Sequence, residues 1–478
     1  MAKTKIAVTI GRLSRDPETI REMALAGAKI FRINFSHGSR DEWHEVARIV
    51  REVENDLGMH FALVGDLPGP SVRLGTLDNP IEVKAGELIK LVLSEKARGG
   101  AEKLIPLPNE VALRALRKGH VILMDDGLAA FRVEAASSSE AVLRALTDAR
   151  INSRKTMVIQ GRGLDLPTIS SKEIEVVKFA VAEEFDYIGL SYVRGEEDVA
   201  MLRGILLSLG AENISIIAKI EVPAAVRNLN EIVNAADAIL VARGDLGMHF
   251  PLEEVPRLQR EIIKASINRG KPVIVATQLL GSMIENPVPT RSEVVDVVAA
   301  LSDGVDVLML TSETAIGRYP VEAVRWLSKI IERYEPTIAP PRRILEAEED
   351  IRDRFASGIA SLAESLNAVI VVYTLSGRTA QRIASFRPSK LVISASPNKR
   401  TLRKLALTRG IETIEAGYKS YEEGLNELEG RLMRGEINVR EPTVVLTYGM
   451  REELVHLVKI IHLKTETQTS GGTPSKTA

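Results

Sequence analysis

Two short stretches, Ile217-Ala-Lys-Ile-Glu221 and Val241-Ala-Arg-Gly-Asp245, each place charge where an apolar, strand-like run stops. Lys219 and Glu221 are two positions apart, so on a strand their side chains share a face. Arg243 and Asp245 arrive from the next run. Two carboxylates with few other donors suit Mg²⁺ or Mn²⁺, hard ions that take oxygen ligands and keep room for substrate and water. A lysine beside them can neutralise a phosphoryl group in transit. Such a set fits phosphoryl transfer, where catalysis is mostly positioning and charge neutralisation. The competing reading is a structural ion pair at the rim of a sheet. The further charge from the second run favours a site.

Other clusters repeat the pattern. In Arg32-Ile-Asn-Phe-Ser-His-Gly38, strand alternation puts Arg32, Asn34 and Ser36 on one face, with oxygens for a cation and a guanidinium for phosphate. Ser36 or Ser39 also qualifies as the cap of the next helix. Thr277, closing Ala276-Thr-Gln278, is placed to orient a water or to accept a hydrogen bond from substrate. Thr290 or Ser292 reads as a helix cap, with Arg291 and Glu293 as a structural or interface pair. Thr374-Leu-Ser-Gly-Arg-Thr379 follows a strand pattern and opens a helix. Backbone amides and hydroxyls there make either an anion site or an ordinary cap.

Holding these ends together requires a particular fold. Strand-like runs at 5–11, 29–36, 61–67, 185–192, 214–221, 238–245, 272–278 and 305–313 alternate with amphipathic helical patterns. Eight such β-then-α units predict a closed parallel (β/α)8 barrel. Polar residues gather at the C-terminal ends of the runs, the barrel face where active sites form. An open doubly wound sheet would carry a glycine-rich phosphate loop after its first strand; here that segment is Gly11-Arg-Leu-Ser-Arg15. After Asp66 the chain enters Pro68-Gly-Pro70 and a long stretch of short alternations, too long for a loop. We therefore read residues 71–163 as an inserted β-rich lid, and 1–70 with 164–336 as the barrel. Pro336 and Pro340-Pro341 mark a linker to a smaller α/β domain over 337–464, and 465–478 reads as a disordered tail.

Composition narrows the rest. The 478 residues carry a net charge of −1, which points to neither nucleic acid nor an acidic membrane. Every apolar run is broken by charge before it could span a bilayer. There is no cysteine, so disulfides, thiolate metal sites and a cysteine nucleophile are excluded. A cytoplasmic enzyme fits, and the Arg- and Glu-rich, cysteine-free composition resembles that of thermophilic proteins.

Taken in order, Thr4–Gly11, Arg32–Gly38, Ile217–Glu221, Val241–Gly247, Ala276–Gln278 and Pro289–Glu293 resemble the successive signatures of the pyruvate kinase family, in family order. The likeness runs from residue 4 to about residue 460. It implies the same barrel, lid and C-terminal domain, and a homotetramer. It implies transfer of the phosphoryl group of phosphoenolpyruvate to ADP, giving pyruvate and ATP, with Lys219 stabilising that group. By the same resemblance Glu221 and Asp245 bind Mg²⁺ (or Mn²⁺), and the turn at Gly244 and Asp245 presents amides to the substrate carboxylate. Thr277 lies near the carbon that is protonated. Arg32 and Arg73 clamp phosphates, Asn34, His37 and Lys155 face the nucleotide, and Asp125 closes with the lid. Asn34, Ser36, Asp66 and the Leu67 carbonyl match a monovalent-cation site. Thr374, Ser376, Gly377, Arg378 and Thr379 match a loop that binds the phosphate of an allosteric effector in many members.

The departures are informative. Where the family commonly has Thr-Lys-Gly-Pro-Glu after the aspartate, this chain has Leu67-Pro-Gly-Pro-Ser71. Losing that carboxylate weakens the attraction for K⁺, so weak or absent potassium dependence is expected. Citrate-lyase-like barrels also use paired carboxylates and Mg²⁺, but lack the insertion and the C-terminal domain. A non-catalytic homologue would be expected to lose Lys219, Glu221 or Asp245, and all are present.

Overall fold

The computed structural model describes residues 2–96, 103–125, 127–164, 166–345, 349–417, 420–449 and 456–463. The expected tail, 465–478, lies outside them. Strands Lys5–Ile10, Ala28–Asn34, Ala62–Asp66, Tyr187–Leu190, Ser215–Ile220, Ala238–Ala242, Val273–Ala276 and Val307–Leu310 close into a barrel, every pairing parallel. Each is a run of Ile, Val, Leu and Ala because both faces of a parallel sheet are covered. Alternate residues divide between two layers. Ile30, Val64, Ile217, Leu240 and Ile274 fill the barrel interior. Ile216, Ala218, Ile220 and Val241 pack outward against the helices. Lys219 has the parity of Ile217, so it points inward at the mouth.

Several strands stop earlier than their sequence suggests. The sixth ends at Ala242, and Arg243–His249 is a short helix. The eighth ends at Leu310 and is followed by the short helix Ser312–Ala315. The second ends at Asn34, with Phe35 and Ser36 in a turn. Charged and hydroxyl residues leave the ladder as soon as the barrel no longer covers them, and helix or turn then satisfies their backbone groups. Residues 223–235 form two helices, Pro223–Arg227 and Leu229–Ala235, divided at Asn228, whose side chain donates to the Arg194 carbonyl at 2.7 Å. Ser39, not Ser36, caps the helix Arg40–Leu57, in a reciprocal box with Glu42.

Between the third and fourth strands the chain builds a six-stranded sheet and a two-stranded one, with the helix Glu110–Ala115, which the sequence had not indicated. This insertion buries its own apolar cluster, including Leu91, Ile122, Phe131 and Leu143. It touches the barrel mouth where the Gly161 amide donates to the His249 carbonyl at 3.0 Å. Beyond residue 349, a five-stranded sheet, parallel except for its last strand His456–His462, is flanked by helices. It packs beneath the barrel. Arg403 pairs with Glu54, Arg409 with Glu335 and Arg387 with Asp306, all largely buried, while Ala406 and Leu407 plug the barrel floor. No helix among the described residues is long and apolar enough to cross a membrane.

Candidate active site

Lys219 is the centre of the mouth. Its ammonium lies 2.8 Å from Glu221 Oε1 and 3.4 Å from Asp66 Oδ2, and it donates to Ser191 Oγ at 2.8 Å. Burial alone would depress its pKa. Asp66 and Glu221 outweigh burial, Arg32 opposes them, and Asp245 adds a smaller attraction, so the ammonium is held above its ordinary value. Burial likewise pushes Asp66 up, but Lys219 and Arg32 hold it below the usual carboxylate range. Glu221 is fixed from its other side, where Oε2 accepts the Tyr192 amide at 2.9 Å.

Three expected side chains are already committed to protein partners. Arg32 donates through Nε to Asp66 Oδ2 at 2.8 Å, with Nη2 on the same oxygen, and through Nη1 to Thr9 Oγ1 at 2.9 Å. The other Asp66 oxygen is buried without a hydrogen-bond partner and faces Gly189, where a Cβ would sit 2.7 Å away. The Leu67 carbonyl accepts the Ser191 hydroxyl at 2.8 Å. Asn34 Oδ1 accepts the Ser36 amide at 3.1 Å, and Ser36 lies beyond the strand, so alternation does not align it with Asn34. His37 is exposed, its carbonyl accepting from Trp43 Nε1.

Arg243 corrects another expectation. On a helix, positions 243 and 245 do not share a face, so Arg243 turns away while Asp245 stays near Lys219. Arg243 bonds Asp296 at 2.7 Å, the Thr277 carbonyl at 2.7 and 3.1 Å, and the Gln278 carbonyl at 2.8 Å. Thr277 and Gln278 both have left-handed φ, 71° and 53°, a costly conformation for such residues. Arg243 is thus the brace of that turn. Thr277 Oγ1 accepts the Gly244 amide at 2.9 Å, which ties the turn to the helix carrying Asp245. Glu313 is also structural, accepting the Leu280 and Thr311 amides. Glu293 caps rather than pairs: it accepts from Ser282 and Thr290.

In the insertion, Lys155 pairs with Asp125 Oδ1 at 2.7 Å, and Arg73 bridges to Thr156 with its guanidinium on the Arg154 carbonyl. These three expected lid residues occupy one edge. In the C-terminal loop, Thr374 Oγ1 accepts the Gly377 amide at 2.9 Å and is buried, so Thr374 shapes the turn. Ser376 and Arg378 are exposed beside it, and Gly377, at φ 81°, precedes the helix Arg378–Ser385. Sequence reasoning missed Ser191 and Tyr192. The signal was there: a serine at the C-terminal end of the fourth strand, in the same position as the other polar residues singled out.

Among the described residues, no cluster of three or more carboxylate, histidine or cysteine side chains gathers to hold a metal. Glu221 and Asp245 give two hard oxygen donors, and Mg²⁺ characteristically takes one or two carboxylates and completes its shell with substrate and water. The donor chemistry fits that ion.

A barrel whose mouth gathers a charged lysine, two carboxylates and a strained hydroxyl turn beneath a β-rich insertion defines a barrel enzyme for anionic substrates. Comparison with known proteins makes the class specific. The family model described as pyruvate kinase, barrel domain, matches residues 1–324, and that described as pyruvate kinase, alpha/beta domain, matches residues 353–461. A pyruvate kinase of Pyrobaculum aerophilum is 38% identical over 463 residues, covering 96% of each chain. One of Aeropyrum pernix is 35% identical over 462 residues, covering 96% of this chain and 99% of the relative. The crystal structure of pyruvate kinase from Pyrobaculum aerophilum matches with a TM-score of 0.86 at 36% identity, over 96% of this chain and 99% of that one. The chain belongs to the pyruvate kinase family.

Proposed function

We propose that this chain transfers the phosphoryl group of phosphoenolpyruvate to ADP, giving pyruvate and ATP in the last step of glycolysis. The observation that carries the reading is the Lys219 ammonium, held charged by Asp66 and Glu221 with Asp245 on the adjoining helix. Glu221 and Asp245 would hold Mg²⁺ or Mn²⁺, which draws together substrate oxygens and neutralises their charge. Lys219 neutralises the phosphoryl oxygens as the bond to the enol oxygen breaks. Its hydrogen bond to Ser191 and its ion pair with Glu221 fix it before substrate arrives, so little reorganisation is needed. Thr277, locked by the Gly244 amide and the Arg243 brace, stands near the carbon that water protonates to give the methyl group of pyruvate. The edge of the insertion with Arg73, Asp125 and Lys155 closes over the phosphates of the nucleotide, with Asn34 and His37 beneath.

The same proposal includes weak or absent potassium dependence. The Leu67 carbonyl is taken by Ser191, one Asp66 oxygen by Arg32 and Lys219, and Ser71 brings no charge. It also includes a phosphorylated effector at the 374–379 loop, a homotetramer, a cytoplasmic location and the division into barrel, lid and C-terminal domain at residues 71, 164 and 337. The test is ADP-dependent formation of pyruvate from phosphoenolpyruvate with Mg²⁺, comparing wild type with Lys219→Met. We expect turnover in the wild type and its near-complete loss in the variant. An inactive wild type would defeat the reading.

A further inference from the structure

The first barrel strand runs past its neighbour. Its ladder with the eighth strand ends where Val8 faces Leu310, and Thr9 lies one residue beyond. A buried backbone unit there needs partners that the finished strand no longer offers. Thr314, on the helix Ser312–Ala315, offers both through one hydroxyl. Its Oγ1 accepts the Thr9 amide at 3.1 Å and donates to the Thr9 carbonyl at 2.9 Å, the Thr311 carbonyl being farther at 3.4 Å. Both threonines are buried, with exposures of 4% and 0%. Gly11 lets helix and strand end approach this closely, since a Cβ there would lie 2.3 Å from the Ala315 carbonyl oxygen.

The side chain of Thr9 is as tightly assigned. It carries one hydroxyl proton, which goes to the Leu310 carbonyl at 3.1 Å. The lone pairs are left for a donor, and Arg32, paired with Thr9 in register on the second strand, donates from Nη1 at 2.9 Å. An arginine only donates, so a hydroxyl turned in this sense suits it. The other bonds of the guanidinium, from Nε and Nη2, converge on a single oxygen, Asp66 Oδ2. Two bonds to one atom fix a point and leave rotation about it; Thr9 supplies the second point. Three of the five N–H groups are used in this way among the described residues, leaving one on each Nη nitrogen.

We infer that Thr9 is a positioning residue for Arg32, setting the direction in which the two remaining N–H groups meet a substrate phosphate. Thr314 holds the Thr9 backbone, so the clamp is aimed by the eighth strand and the helix after it, 305 positions away in the chain. The inference rests on the proposed transfer from phosphoenolpyruvate, with Arg32 as a phosphate clamp, and adds what orients that clamp. A guanidinium set before substrate arrives gives up less freedom on binding.

The test is steady-state turnover of the full chain at saturating Mg²⁺ and ADP, with phosphoenolpyruvate varied. The variants are Thr9→Val, Thr9→Ser, Arg32→Lys and Thr9→Val combined with Arg32→Lys. Loss of one charge-assisted hydrogen bond should lower kcat/KM about tenfold or more in Thr9→Val, chiefly through KM, because the phosphate is present before and during transfer. Thr9→Ser keeps the hydroxyl and should recover most of that loss. Lysine at the second-strand position lacks the fork that spans Asp66 and Thr9. In the Arg32→Lys background Thr9→Val should therefore cost less than about twofold, whereas damage independent of Arg32 would multiply. Thr9→Ala also removes the hydroxyl, so a Thr9→Val chain that fails to fold does not end the comparison, and unliganded melting curves confirm folding. Wild-type kcat/KM in either folded variant, a loss confined to kcat, or the same loss in both backgrounds would overturn the positioning while leaving the activity intact. An Arg32→Lys enzyme with unchanged KM would overturn it as well, there being no clamp to aim. An inactive wild type would defeat the kinase reading and this one with it.

Discussion

Ser191→Ala isolates the part of the site that no sequence pattern announced. The hydroxyl is 2% exposed, accepts from Lys219 Nζ at 2.8 Å and donates to the Leu67 carbonyl at 2.8 Å. Alanine removes one charged hydrogen bond and leaves a buried carbonyl unpaired, while Lys219 keeps Glu221 at 2.8 Å and Asp66 at 3.4 Å. A hydrogen bond to a charged group contributes about 1.5–3 kcal/mol. If that energy serves only to hold the ammonium where phosphoryl charge develops, kcat falls by about 10- to 150-fold. The two surviving carboxylates argue for the lower end. Threonine is not a useful control, because a Cβ at Gly69 would already lie 2.8 Å from the Ser191 Cβ, so this region has no space for a further methyl. The assay is steady-state turnover at saturating Mg²⁺ and ADP, with phosphoenolpyruvate varied to separate kcat from KM. We expect kcat to carry the loss and KM to move little. An unchanged kcat in a folded variant would refute the reasoning, and a rise in KM alone would assign the serine to ground-state binding.

Arg243→Lys keeps the charge but loses the fork that spans Asp296 and two carbonyls. Turnover should fall at least tenfold by loosening the 277–278 turn, at about 1.5 kcal/mol or more per lost charged bond; retention of full activity would show that the turn needs no brace. Burial holds the His249 imidazole down to about 4, against an ordinary 6.5, so it stays neutral in the fold while the unfolded chain protonates. Its contribution is therefore complete above pH 6.5 and is lost as pH falls toward 4, amounting to roughly 3 kcal/mol. Urea unfolding of His249→Leu should show a shallower loss over that window than wild type, and parallel curves would contradict this assignment. Adding K⁺ at fixed ionic strength should leave turnover nearly flat; a steep rise would show that Asp66 and Leu67 yield their present partners to the ion.

Much of the site was legible in the sequence because period and position carry it. Alternation along 214–221 fixed Lys219 on the inner face, and polar residues at the ends of apolar runs named the mouth of the barrel. What misread was the last residue or two of each strand. Whether Asp245 sits on a strand or in a helical turn depends on where neighbouring strands stop covering the backbone, which no local pattern encodes. For the same reason Arg243, read with Asp245 as charge converging on the site, proved to be a brace for a turn 34 residues away.

The sequence by itself determined the parallel barrel, its insertion, the C-terminal α/β layer and the identity of the charged residues at the mouth, because burial on two faces forces apolar runs and their interruptions are visible. Tertiary structure alone decided who holds whom. Asp66 meets Lys219 across 153 positions, Ser191 meets Leu67 across 124, and Tyr187 meets Lys404 across 217. Those meetings set the charge on the lysine, occupy the Leu67 carbonyl and one Asp66 oxygen, and tie the barrel floor to the C-terminal domain. Electrostatic energy depends on distance in space and on lost solvent, and neither is written in the order of the residues.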